Sequence, residues 1–134
     1  MNRRLDWQIR FEAFIASRRR VPFVWGANDC ALFAADCVHA ITGQDPAPPG
    51  LRSHRTEKQA LRTLQRHGGL QGIATRALGQ PIPASQAGVG DVVLSKSGTR
   101  PMLSICNGST VFAPSAHGLV SLALDTSSIC WRVA

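Results

Sequence analysis

The run Asn28-Asp29-Cys30-Ala31-Leu32-Phe33 joins a helix-start signal directly to an apolar helix. Asn and Asp side chains accept hydrogen bonds from the free N–H groups of a first helical turn, so they mark where a helix begins. Beyond Cys30 the apolar positions Phe33, Ala34, Cys37, Val38 and Ile41 recur as a one-face stripe at helical spacing. A helix is expected over Asp29 to Thr42, capped by Asn28 or Asp29 and closed by Gly43. Any fold for this chain has to place that helix and, at its mouth, the thiol of Cys30. Backbone N–H groups and the helix dipole there favour a thiolate, so an acidic sulfur is expected.

The 134 residues fit one domain over 1–134, with 44 % hydrophobic and 17 % charged residues. No apolar run approaches the roughly 20 residues of a membrane span. The start, Met1-Asn2-Arg3-Arg4-Leu5-Asp6-Trp7, has basic residues without an apolar core behind them, so no signal peptide is expected. The net charge of +7 comes largely from arginine and suits either an anionic partner or a solvated basic face. No zinc finger, RNA-binding signature or aromatic-basic stripe marks a dedicated nucleic-acid module. The four cysteines form no C-x-x-C pair, and no metal or cofactor is implied. Cys30 and Cys37 lie two turns apart on one helix, about 10 Å, too far to bridge. Cys37, Cys106 and Cys130 read as buried free thiols, which fits synthesis in a reducing cytoplasm.

Trp7, Phe11, Phe14 and Ile15 predict an amphipathic helix over Leu5 to Ser17, stopped before Pro22. Residues 21–28 form an extended approach, and the proline-rich stretch Asp45 to Gly50 a loop. Thr56 and Gln59 form a capping box for a third helix that stops at Gly68-Gly69, and a fourth ends at Gly79. From Gly88 onward, short apolar runs predict strands over Asp91–Ser95, Met102–Cys106, Thr110–Ala113, Leu119–Leu124 and Ile129–Val133. Turns are expected over Lys96–Pro101, Asn107–Ser109 and Pro114–Gly118. The layout is α+β: N-terminal helices packed on a C-terminal antiparallel sheet of about five strands.

The motifs in this order resemble the NlpC-like branch of the papain-fold cysteine hydrolases. Pro22-Phe23, Trp25-Gly26 and Asp29-Cys30 match the family's approach loop and nucleophile. Gly90-Asp91-Val92-Val93-Leu94 and Leu103-Ser104-Ile105-Cys106 match its next strands, followed by Val111-Phe112-Ala113 and Gly118-Leu119-Val120. The resemblance implies a papain-like single domain, with Cys30 as nucleophile. The matching departs at the chemistry. The base histidine position holds Met102, its orienting partner falls near Ala113, the family's tyrosine is Phe23, and Ala31-Leu32 replaces Ser-Gly. A thiol needs a positioned partner to attack at neutral pH. His117, in the loop after the third strand, is the one candidate substitute base. His39 points to another face of the Cys30 helix, and His54 and His67 read as surface residues beside the third helix. Cys30 itself also reads as a small apolar side chain, Asp29 as a helix cap, and Trp25 as a core anchor.

The stretches Trp25 to Val38, Thr42 to Ala47 and Gly68 to Leu70 are similar to small proteins of phage and prophage tail modules. That similarity implies a structural component of the virion tail tip, made in the bacterial cytoplasm and docked on hub, distal-tail or central-fibre proteins. Two alternatives stand beside it. One is an active cysteine hydrolase that cuts peptidoglycan peptides while DNA enters the cell, with Cys30 attacking and His117 as base. The other is a binding module that meets nucleic acid through its basic face.

Overall fold

Asp29 starts the central helix. In the computed structural model, which describes Met1–Ala134, its Oδ1 accepts the Leu32 N–H at 2.9 Å and its Oδ2 accepts the Gly26 N–H at 3.0 Å. One carboxylate thus caps α2 (Cys30–Thr42) and pins the approach loop. Gly43 closes α2 with φ +82, returning its N–H to the His39 carbonyl. The one-face stripe understates this helix. Leu32, Phe33, Ala34, Ala35, Cys37, Val38 and Ile41 are all buried, so α2 is enclosed on nearly every side. It packs between α1 (Trp7–Arg18) and the sheet, and Phe14 meets Phe33 with ring centroids 5.3 Å apart.

The remaining helices are α3 (Glu57–Arg66) and α4 (Gly69–Leu78). The capping box forms with a one-residue offset. Thr56 Oγ1 accepts the Gln59 N–H at 3.2 Å, while Gln59 Oε1 reaches back to the N–H of Arg55 at 2.7 Å.

The sheet has six strands, one more than expected, all antiparallel: β1 (Ile82–Pro83), β2 (Val92–Ser97), β3 (Arg100–Cys106), β4 (Thr110–Ser115), β5 (Gly118–Ala123) and β6 (Ile129–Trp131), in the order β1-β6-β2-β3-β4-β5. β1 is two residues long and includes Pro83, too short to leave an apolar period in the sequence. The turn expected over Lys96–Pro101 shrinks to Gly98-Thr99. Gly98 takes φ +64, which lets β2 and β3 join by a two-residue hairpin and extend through those positions. Val92, Leu103, Ile105 and Trp131 face the helices, and Trp131 Nε1 donates to Thr75 Oγ1 on α4 at 3.1 Å. Val93, Cys106, Val111 and Cys130 form a smaller apolar cluster on the opposite face with Ala84. All four cysteines are free, and Cys37, Cys106 and Cys130 are buried.

His54 corrects the sequence reading. It is only 4 % exposed, and its Nε2 is buried without a partner. The short turn Leu51–Ser53 buries Leu51 and carries the next residue inward with it. Polar neighbours on both sides concealed that in the sequence.

Charged residues tie these pieces together. Asp36 on α2 accepts Arg18 Nη2 at 2.6 Å from the end of α1, and Arg52 Nη2 at 2.7 Å from beyond the proline loop. Arg18 also donates to Asn28 Oδ1 at 2.9 Å, and Asn28 Nδ2 donates to the carbonyls of Val21 and Pro22. Removing a partly buried acceptor leaves two guanidinium groups without it. Asp36→Ala is therefore expected to lose about 2–3 kcal/mol in urea unfolding. Lys58→Ala, at an exposed helix position, should stay within about 0.5 kcal/mol.

Candidate functional site

The site begins where a strand ladder stops. β3 and β4 pair only at Ile105↔Phe112 and Cys106↔Val111, whereas β4 continues alongside β5 to Ser115↔Gly118. Extending the β3–β4 register would set Leu103 opposite Pro114. Cys106 sends its N–H to Asp91 on the β2 side, at 2.9 Å. Antiparallel alternation therefore turns the Leu103 N–H toward β4. Pro114 has no N–H to return, and Pro101, two residues before Leu103, has none either. The ladder ends, the strands part, and a groove of about 1030 Å³ opens.

Nineteen residues line the groove. Pro101 and Met102 come from β3; Ala113, Pro114 and Ser115 come from β4. Leu61 and Leu64 on α3 and Leu70 on α4 form the facing wall, with Phe23 and Trp25 of the approach loop at one end. Those two rings meet edge to face, with centroids 4.7 Å apart. Gly26 lets the loop lie flat there: at φ +78, an added Cβ would collide with the backbone carbonyl of His54. Arg100 is the single charged residue on the lining. Its guanidinium pairs with Glu57 and sits 5.8 Å from the Trp25 ring centroid.

Cys30 is half-buried in this groove at the N-terminus of α2. Burial pushes its thiol above the ordinary cysteine value. The backbone N–H groups of Leu103 and Ala31 and the Arg100 guanidinium pull the other way, the Asp29 carboxylate adds to the rise, and the net direction is up. The acidic sulfur expected at the helix mouth is thus reversed. The dipole acts on a sulfur partly shielded from water and beside a capping carboxylate. Deeper in α2, burial pushes the Cys37 thiol up to about 12.

Met102 and Ala113, the positions matched to the base and its orienting partner, both line the groove beside Cys30. His117 is exposed in the β4–β5 turn. Its neighbours Ser115 and Ala116 line the groove and its own side chain does not. No histidine, aspartate or glutamate is on the lining. His39 is exposed on α2, and His54 is buried outside the groove. Asp91 is structural: it accepts Arg3 Nη2 and the Val133 N–H, both at 3.0 Å, and the Gly88 N–H at 2.9 Å. No group of His, Cys, Asp and Glu side chains gathers to hold a metal ion. The arrangement can accept an apolar ligand, but it holds no group to take the thiol proton.

A buried, neutral thiol alkylates slowly. Iodoacetamide is expected to modify Cys30 more slowly at pH 7 than it modifies a free cysteine. The rate should rise with pH through an inflection above the ordinary thiol value, read by mass spectrometry of the Cys30 peptide.

No curated protein matches the chain. A family model described as "Domain of unknown function (DUF6950)" matches residues 2–133, from ahead of α1 to the residue before the last. The match spans every helix and strand that builds the groove, and the chain belongs to that family.

Proposed function

We propose that this domain is a non-catalytic docking module on a papain-like, NlpC-type layout, and that it serves as a structural component of a phage tail tip. One observation carries the non-catalytic part: the groove that holds Cys30 has no imidazole or carboxylate on its lining. Cysteine hydrolysis needs a thiolate and a proton carrier. Here burial holds the sulfur in its neutral form, and Met102 and Ala113 contribute only apolar surface. That these two positions meet Cys30 in one groove supports the resemblance on which the layout is argued.

The same features suit binding. An open, largely apolar groove gains affinity by losing water when a partner covers it. The polar residues around the approach segment and α2 stabilise the fold instead of acting on a substrate: Asn28 holds the loop carbonyls, Asp29 caps α2, and Asp36 joins two arginines. The tail-tip placement rests on the similarity of Trp25 to Val38 and the two shorter stretches to tail-module proteins. Peptidoglycan is a surface that such a tip would meet, and no cleavage of it is ascribed to this chain.

Tagged protein is expected to copurify with tail particles from a producing host. Particles carrying Cys30→Ala should keep wild-type infectivity, and the purified chain should release no peptides from peptidoglycan. Absence from particles would overturn the tail-tip placement. Hydrolysis by the wild-type chain that Cys30→Ala abolishes would overturn the non-catalytic reading.

A further inference from the structure

α3 carries two unlike surfaces side by side. Leu61, Leu64 and Gln65 line the groove. Around the helix from them stand Lys58, Arg62 and Arg66, each exposed and each one turn from the next. None of the three enters an ion pair; exposed arginines elsewhere, such as Arg19, Arg20 and Arg76, are also unpaired, and this row is set apart by its place beside the groove. Like charges at i and i+4 destabilise the helix that bears them. No ion pair within the molecule offsets that repulsion, and the row runs for about 12 Å along the groove wall.

From this juxtaposition we infer that the groove receives an acidic, apolar-rich segment of a partner protein. Its apolar side chains fill the space between α3 and the parted strands, and its carboxylates lie along Lys58, Arg62 and Arg66. The inference rests on the docking reading and gives that reading a partner chemistry.

Charge complementarity selects this occupant over three others. A second copy of the chain would bring another net charge of +7 to the same surface. A fatty acid would fill the groove but supply one anionic group for three cations. Nucleic acid would supply anions but leave the apolar groove wet. A polypeptide alternating acidic and apolar residues meets both surfaces at once. The cations would chiefly set association rate and specificity, and the groove would hold the bound state.

The test begins with a library of random short peptides displayed against the folded, full-length protein. Enriched sequences should combine acidic with large apolar residues. A selected peptide should bind more weakly as salt rises. The triple variant Lys58→Glu/Arg62→Glu/Arg66→Glu should weaken it about tenfold or more. Leu61→Asp, at an exposed position on the groove wall, should weaken it comparably while the circular dichroism spectrum and melting temperature stay near wild type. Enrichment of basic sequences, or no enrichment, would overturn the inference. So would peptide binding untouched by the triple variant, or reversal that abolishes only binding to phosphatidylglycerol vesicles or duplex DNA. Copurification with particles tests the docking reading separately: it can succeed where the peptide selection fails, and fail where the selection succeeds.

Discussion

A proline has no N–H to give, and at position 114 that fact shapes the functional surface. An antiparallel ladder advances by exchanging pairs of hydrogen bonds, so one missing donor at a bonded position is enough to stop it. β4 keeps its bonds to β5 because those use the other edge of the strand. On the side facing β3 the pairing ends after Ile105↔Phe112. The cost is a Leu103 N–H without its β4 partner, which favours the charged form of the nearby Cys30 sulfur but is outweighed by burial. The opening between β3 and β4 follows from that interruption, while α3 and α4 supply the facing wall and burial sets the state of the thiol.

The sulfur shows how two opposing effects are weighed. A helix N-terminus favours a nearby negative charge by about 0.3–1 kcal/mol at an exposed position. Removing a thiolate from water opposes it, and burial alone can shift a group by several pKa units. Asp29, which caps the helix and so makes its start possible, places a carboxylate beside the sulfur and adds to the opposing side. A cysteine following a capping aspartate is therefore acidic only where water or a cationic partner reaches it. Arg100 is the cation on this lining, and Glu57 engages its guanidinium.

Most of the architecture was legible because it depends on local signals. Asn28, Asp29 and Gly43 bracket α2; Thr56 starts α3 and Gly79 ends α4. The later apolar runs locate five of the six strands. What escaped depends on contacts distant in the chain. β1 is defined by pairing with β6, some 47 residues on, as Ile82↔Cys130 and Pro83↔Ile129. His54 is buried by the turn before it and by the approach loop that Gly26 lets against its carbonyl. Pro114 was visible but was read as a turn residue. Its place within β4 becomes evident only from the hairpin to β5, whose turn is Ala116-His117. The signal that points to the groove is the pair Pro101 and Pro114, one at the head and the other at the tail of an apolar run long enough to be a strand.

The polar residues divide by what surrounds them. Asn28, Asp29, Asp36 and Asp91 would each pass, in a sequence, for part of a reactive constellation. The three aspartates instead have their oxygens committed to N–H groups from two or more segments, and Asn28 accepts from Arg18 while donating to the Val21 and Pro22 carbonyls. A carboxylate engaged in this way is already a strong acceptor and stabilises the arrangement it sits in, which leaves it poorly placed to exchange protons with a ligand. Lys58, Arg62 and Arg66 are the reverse case. They are solvated, unpaired and mutually repelling, beside the apolar groove. Groups with intramolecular partners hold the fold, and what distinguishes the α3 row is that its free charge adjoins an apolar groove. The face proposed for docking thus runs from the groove onto α3, and Cys30 lies on the groove lining.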